Sequence, residues 1–199
     1  MEQKPCGVFR EFGAKLVSKE LKRFKNLMQK IDVNFFLIGG CCLGLVREGK
    51  FLEHDKDIDI GIFEDVNLEE LEIHLIHSGY LHVAIVGTDK GKYMWAMREF
   101  GKTLLVFEIQ VHYRKDNVVY FNRDLEAKTS PTGYGEGRLE WPAKLFETFE
   151  LISCPRGEIY SVPSPVEEYL AVQHGDWKTP VEYVDWRYHA KNIKKGWIF

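Results

Sequence analysis

The sequence predicts an α/β (α+β) fold, in which a mixed central β-sheet is flanked by helices and followed by a helical C-terminal part. Three observations predict it. Apolar residues recur at helical spacing over residues 9–31. Residues 81–121 alternate apolar and polar side chains between turn signals, as strands do. Pro165 precedes an amphipathic run that is typical of a helix.

The N-terminal half supplies helices and two short strands. Phe12, Leu16 and Leu21 begin the apolar stripe of the first helix, over residues 9–31. An apolar strand at 34–38 is followed by a compact helix at 41–47, which Gly49 ends. A strand at 56–63 and an amphipathic helix at 68–77 complete this half.

The middle of the chain is predicted to be rich in strands, and the C-terminal part is interrupted by Gly- and Pro-containing segments. Strands are predicted at 81–86, at 92–100 and 103–113 around a Gly-Lys turn, and at 118–121. The Gly and Pro content of residues 130–137 predicts a loop there. Helices are predicted at 142–147, 166–174 and 181–195. At 199 residues the chain is expected to be one domain, 1–199, with an N-terminal helix (1–31), a catalytic core (32–122) and a C-terminal helical lobe (138–199).

Composition excludes several classes of protein. A formal net charge of −3 gives no basic face for broad nucleic-acid binding, so no nucleic acid is expected as a partner. The four cysteines form no CxxC pair, which favours reduced thiols and a cytoplasmic location. Residues 4–30 are basic and amphipathic: a solvated helix face is favoured, and a peripheral contact with a membrane or another anionic partner stays open. No pattern indicates an oligomeric state.

The most informative motif is Asp57-Ile58-Asp59, inside an apolar strand. Residues i and i+2 of a strand lie on the same face, so the two carboxylates face one point. Like charges on a well-covered strand repel and resist desolvation, unless a cation lies between them. Mg²⁺ binds one or two carboxylates together with substrate phosphates. Asp55 joins the same face if the strand begins early.

A third carboxylate, Glu108, lies in a strand that places Val106, Glu108, Gln110 and His112 on one face. One interpretation is an edge strand with a wet face. The other is that this strand neighbours the Asp57–Asp59 strand and that Glu108 is a third metal-facing carboxylate.

The turn before the motif suits phosphate. Gly39 and Gly40 let a backbone approach a phosphate closely, and a helix that begins there offers free N–H groups. Arg47 can clamp two phosphate oxygens, and Lys50 has the same reach; exposed surface residues are the alternative for both.

Residues 36–62, FLIGGCCLGLVREGKFLEHDKDIDIGI, resemble the signature of the LicD/fukutin family of the nucleotidyltransferase superfamily. The matching positions are Gly39, Gly40, Leu43, Gly44, Arg47, Asp55, Asp57, Asp59 and Gly61. Residues 162–180, VPSPVEEYLAVQHGDWKTP, resemble the closing element of the same family. The sequence departs from the family pattern at Cys41, His54 and His174, where the family usually has Thr, Trp and Tyr.

The resemblance implies a nucleotidyltransferase fold and a metal-dependent transferase. Such an enzyme moves phosphocholine, ribitol phosphate or glycerol phosphate from a CDP-linked donor to a glycan or glycolipid acceptor. The implied catalytic and metal residues are Asp57, Asp59 and Glu108, with two Mg²⁺ ions, or Mn²⁺ in their place. The implied nucleotide- and phosphate-binding residues are Gly39, Gly40, Cys41, Arg47 and Lys50. The alternatives are a nucleotidyltransferase that moves NMP from an NTP donor to a small hydroxylated molecule, and a binding module without activity.

Overall fold

The computed structural model describes residues 6–88, 91–123, 137–180 and 192, and has a central mixed sheet flanked by helices. The helices are α1 (Phe9–Phe12), α2 (Ala14–Lys30), α3 (Gly39–Glu48), α4 (Leu68–His77) and α5 (Val166–His174), with a 3₁₀ helix at Ala143–Phe146. The strands are β1 (Phe36–Leu37), β2 (Asp57–Phe63), β3 (Leu81–Thr88), β4 (Gly91–Phe100), β5 (Thr103–Lys115), β6 (Val118–Arg123), β7 (Gly137–Pro142), β8 (Phe149–Ser153) and β9 (Ile159–Pro163). The predicted fold class is confirmed.

Strand β5 is the centre of the sheet. The order is β1-β2-β5-β4-β3, and the far end of β5 pairs with β6, which in turn pairs with β7. β2 and β5 run parallel, whereas β4 and β5 run antiparallel. The interpretation of residues 103–113 as a wet-faced edge strand is therefore wrong. His112, on the face expected to be wet, is fully buried among aromatic rings.

The predicted first helix is divided in two at Gly13. This residue has φ 73°, a conformation in the left-handed region that interrupts a right-handed helix. Beyond the break, α2 buries the apolar stripe that its spacing predicts, with Val17, Leu21, Phe24 and Met28 almost fully covered. Stacking of Phe24 on Phe107 at 5.3 Å joins this helix to β5.

The C-terminal part contains a hairpin as well as helices. Strands β8 and β9 pair antiparallel, with Leu151 opposite Ser161. The sequence does not predict these strands, because Leu151 and Ile159 are apolar but exposed, so the strands lack a clean apolar face. The prolines at 163 and 165 also resemble a chain break. Helix α5 has the predicted bounds. The predicted loop at 130–137 and helix at 181–195 lie outside the described residues, except for residues 137 and 192.

None of the helices in the described ranges is long and apolar enough to cross a membrane.

Candidate active site

The pairing of β2 with β5 brings two carboxylates side by side. In the parallel register, Asp59 lies opposite Glu108, and Asp57 lies opposite Val106. Asp57 and Asp59 are half-buried, and Glu108 is only 4% exposed. The structure therefore places Glu108 beside Asp59, as the second interpretation of its strand requires.

Asp55 belongs to the same cluster, although it precedes β2. Its Oδ1 accepts a hydrogen bond from the Lys56 N–H at 3.1 Å. Its Oδ2 is buried and has no hydrogen-bond partner among the described residues. An unpartnered buried carboxylate oxygen is costly, so this atom is suited to a ligand that the protein itself does not supply.

Burial and neighbouring negative charges raise the proton affinity of Asp55 and Asp59. Burial raises the pKa of Asp59 well above its usual range, and the charges of Asp57, Asp55 and Glu108 raise it further. Burial and the charge of Asp57 raise the pKa of Asp55 to about 7. Crowded carboxylates of this kind are stabilised by a cation placed between them.

Gly39 and Gly40 let the beginning of α3 approach these carboxylates closely. A Cβ on Gly39 would lie 2.6 Å from Asp59 Oδ2, and one on Gly40 would lie 2.1 Å from Asp55 Oδ2. Gly39 also has φ 53°, which a glycine adopts without strain. The N–H of Gly40 donates to Asp59 Oδ2 at 2.8 Å and so directs the N-terminal end of the helix at that carboxylate.

The other predicted phosphate-binding residues make different contacts. The Cys41 side chain is fully buried, and its thiol donates weakly to the Asp57 carbonyl at 3.8 Å. Arg47 lies about 10 Å further along α3 than Gly40, given a rise of about 1.5 Å per residue. It donates to the Trp177 carbonyl and to Glu48. Lys50 pairs with the exposed Glu53 at 3.1 Å. In the described part of the chain, the ion pairs of Arg47 and Lys50 are thus with Glu48 and Glu53 and not with the site carboxylates.

Neutral donors hold the Glu108 carboxylate in place. Gln110 Nε2 donates to Glu108 Oε1 at 2.9 Å, and Trp95 Nε1 donates to Oε2 at 3.4 Å. Trp95 lies directly opposite Glu108 on β4. The sequence alone does not reveal Trp95, because only the pairing of β4 with β5 brings it to Glu108. Gln110 could have been found from its place two residues after Glu108 on the same strand face.

Tyr169 also reaches the site, from α5. Its hydroxyl oxygen accepts a hydrogen bond from the Gly39 N–H at 3.4 Å. Burial raises its pKa well above the usual range, with smaller contributions from Cys42 and Asp59, so the hydroxyl stays protonated. The available sequence signal was the closing motif at 162–180, which contains this tyrosine.

The residues present fit a divalent cation by their chemistry. All the candidate ligands are carboxylate oxygens, which Mg²⁺ and Mn²⁺ prefer. Across the parts of the chain that the structure describes, no group of three or more His, Cys, Asp or Glu side chains converges as a complete metal site. Mg²⁺ does not require such a group, because it usually takes one or two carboxylates and completes its shell with water and substrate phosphates.

Residues 32–146 match the family model described as "LicD/FKTN/FKRP, nucleotidyltransferase domain". The chain belongs to this family. The resemblance inferred from the sequence motifs is therefore confirmed, and the family match covers the carboxylate cluster and the glycine turn but ends before α5.

The chain is similar to curated proteins named ribitol-5-phosphate transferase FKTN. The Mus musculus protein is 25% identical over 198 residues, which cover 96% of this chain and 39% of that protein. The Homo sapiens protein is 25% identical over 178 residues, which cover 86% of this chain and 35% of that protein. The chain thus spans well under half the length of these relatives of the LicD/FKTN/FKRP family.

Proposed function

We propose that this protein is a metal-dependent transferase that moves a phospho-alcohol from a CDP-linked donor to a hydroxyl group of a glycan or glycolipid. The observation that carries the proposal is the parallel pairing of β2 with β5, which sets Glu108 beside Asp59, while the Gly40 N–H holds Asp59 from the other side. Ribitol phosphate is the favoured group, because the relatives are named ribitol-5-phosphate transferases.

In this proposal Asp57 and Asp59 hold Mg²⁺, and Glu108 completes the site from β5. The bound metal would supply charge neutralisation for the phosphate oxygens. Gln110 and Trp95 keep the Glu108 carboxylate oriented, and the Gly40 N–H does the same for Asp59. The N–H groups of Gly39 and Gly40 are bonded to Tyr169 and Asp59, so they are not free for phosphate as the sequence predicts, and α3 would act on the donor phosphates through its positive dipole end.

The proposed transfer needs only the CDP-linked donor and the acceptor as reactants. The acceptor hydroxyl oxygen forms a bond to the phosphorus that carries the alcohol. The bond from that phosphorus to the CMP oxygen breaks, and CMP leaves with the electron pair. The hydroxyl proton passes to a carboxylate of the cluster. Asp55 lies beside Asp57 and has a buried Oδ2 with no hydrogen-bond partner among the described residues, so its position suits it to accept this proton.

The decisive experiment measures CMP release from CDP-ribitol, CDP-glycerol and CDP-choline, with and without Mg²⁺. We expect Mg²⁺-dependent release from one of them. Asp57→Asn and Asp59→Asn should each lower the rate by about a hundredfold or more, as loss of a charge-stabilising group does. Neither should lower the melting temperature, because each removes a repelling charge.

Asp65→Asn is the matched control, because Asp65 is exposed in the turn after β2 and should leave the rate unchanged. Full activity in both Asp57→Asn and Asp59→Asn would contradict the proposal. Release of pyrophosphate from an NTP, with every CDP-alcohol inert, would replace it with nucleotidyl transfer.

A further inference from the structure

Tyr169 lies deep inside the protein, at the point where the C-terminal element meets the site. It is fully buried in α5, and its ring stacks on Trp141 at 6.1 Å and contacts Phe146 edge-on. These ring contacts explain the burial of the side chain. They do not explain the hydroxyl group, because a phenylalanine at this position would make the same ring contacts without one.

The Tyr169 hydroxyl group accepts a hydrogen bond from a main-chain N–H that has no acceptor within its own helix. Gly39 is the first residue of α3, and the first N–H groups of a helix have no acceptor within the helix. The hydroxyl of Tyr169 is the acceptor for the Gly39 N–H, at 3.4 Å. The next N–H along the chain, that of Gly40, donates to Asp59 Oδ2 at 2.8 Å. Two consecutive N–H groups therefore connect Tyr169 to a site carboxylate.

We propose that Tyr169 is a positioning residue: its hydroxyl fixes the Gly39 main chain, so that the Gly40 N–H holds Asp59 in the orientation used in catalysis. The kinetic part of this inference rests on the proposed function, whereas its structural part does not. Because Tyr169 is fully buried behind Gly39, it acts through the main chain and not by touching the substrate.

A second carboxylate, Glu150 of β8, holds α5 in the position that this role requires. Its Oε1 accepts from the Ser164 Oγ at 3.1 Å and from the Val166 N–H at 2.8 Å. Val166 is the first residue of α5, and Pro165 before it provides no side-chain cap. Glu150 therefore caps the helix that presents Tyr169.

The sequence allows this peptide to be observed alone by NMR. Gly39-Gly40 is the only Gly-Gly pair among the 17 glycines of the chain. In protein labelled with ¹³C- and ¹⁵N-glycine, an experiment that correlates each N–H with the preceding carbonyl carbon gives a single cross-peak, that of the Gly39–Gly40 peptide. Its position reports the hydrogen bond from Gly40 to Asp59.

Tyr169→Phe is the test variant, and Tyr160→Phe is its matched control. Tyr160 is also buried and lies in the same C-terminal part, and its hydroxyl has no hydrogen-bond partner among the described residues. We expect Tyr169→Phe to move the cross-peak and Tyr160→Phe to leave it in place. With a CDP-alcohol, Tyr169→Phe should lower kcat about tenfold and change KM less than about twofold, because misorientation acts on the chemical step.

An unmoved cross-peak in folded Tyr169→Phe would overturn the inference, and so would a moved cross-peak with unchanged kcat. If Tyr169→Phe does not fold, Glu150→Ala replaces it, since loss of the cap should displace Tyr169 and move the same cross-peak; an unmoved cross-peak there also overturns the inference. If the wild type releases no CMP, the proposed function fails, while the cross-peak still decides whether Tyr169 positions this peptide.

Discussion

At Gly40 the chain has room for a hydrogen atom and for nothing larger. An added Cβ would lie 2.1 Å from Asp55 Oδ2, well inside van der Waals contact. The neighbouring atom is the end of a flexible side chain, so the fold can adapt by moving Asp55. The carboxylate cluster cannot adapt in the same way, because that movement takes Asp55 away from Asp57.

Gly40→Ala should therefore lower the activity while it leaves the stability of the fold nearly unchanged. Alanine in a helix is favoured over glycine by about 1 kcal/mol, which offsets the cost of moving Asp55. We expect CMP release to fall at least about tenfold, since displaced site groups slow the reaction strongly, while the urea midpoint changes little.

Gly101→Ala is the control: its added methyl meets nothing within 4 Å, but its φ of 61° makes alanine strained. It should lose about 1 kcal/mol of stability and keep its activity. The opposite pattern would show that Gly40 serves only the fold.

At this scale, sequence alone could predict the residues whose signal is local. Alternation along one strand is enough to place Asp57 and Asp59 on one face. Alternation leaves the role of Glu108 open, because only the pairing of β2 with β5 sets this carboxylate beside Asp59. Sequence alone could not predict Trp95 or Tyr169 either, because Trp95 reaches the site through the pairing of β4 with β5, and Tyr169 through a hydrogen bond between α5 and the first residue of α3. A local pattern carries no information on such long-range contacts.

Strand β5 joins the site to the core within a few residues. Glu108 and Gln110 lie at the carboxylate cluster, whereas His112 is fully buried against the rings of Phe36, Phe121, Trp141 and Phe146. Burial lowers the pKa of His112 to about 4, and its Nε2 has no hydrogen-bond partner among the described residues. The folded protein therefore keeps this imidazole neutral.

His112→Phe should change how stability depends on pH. The folded pKa lies below the usual value of 6.5, so the unfolded chain binds more protons between pH 6.5 and about 4. His112 therefore costs stability as the pH falls through this window, by about 3 kcal/mol in total. Phenylalanine does not titrate, so the free energy of unfolding of His112→Phe relative to wild type should rise by about this amount from pH 7 to pH 4. Urea titrations of both proteins measure it, and a difference that does not vary with pH would contradict the prediction.

The elements themselves show where periodicity predicts structure and where it fails. Helix α4 has the predicted bounds because an apolar stripe, the Asn67 cap and the Ser78–Gly79 stop all agree. The hairpin of β8 and β9 was missed because the outward side chains Phe149, Leu151 and Ile159 are themselves apolar and exposed, so hydrophobicity does not alternate along the strands. The break at Gly13 was missed because a glycine inside a helical pattern is often tolerated.

At the scale of the whole molecule, α2 connects parts that are far apart in the chain. Its Ser18 lies 3.3 Å from the Cys154 thiol, beside the C-terminal hairpin. Its Arg23 donates to the Ser78 carbonyl, after α4. Glu20, whose side chain is only 3% exposed, pairs with Arg98 of β4 at 3.2 Å. Helix α2 thus contacts the C-terminal hairpin, the turn after α4 and the sheet, and the pair of buried Glu20 with half-buried Arg98 joins it to the sheet.

Arg98→Met should destabilise the whole fold, because it leaves the Glu20 carboxylate buried without its counter-charge. Removing one partner of a buried pair typically costs about 3–5 kcal/mol. Arg98 also donates to the Gly79 carbonyl and lies over the Tyr80 ring, so its contacts on the α4 side are lost as well.

In the double variant Glu20→Leu/Arg98→Met the buried charge is gone, and apolar side chains fill a similar volume. Urea unfolding should therefore show the double variant recovering most of the loss. A double variant as unstable as Arg98→Met alone would show instead that the Gly79 and Tyr80 contacts, and not the charge on Glu20, decide the stability of this junction.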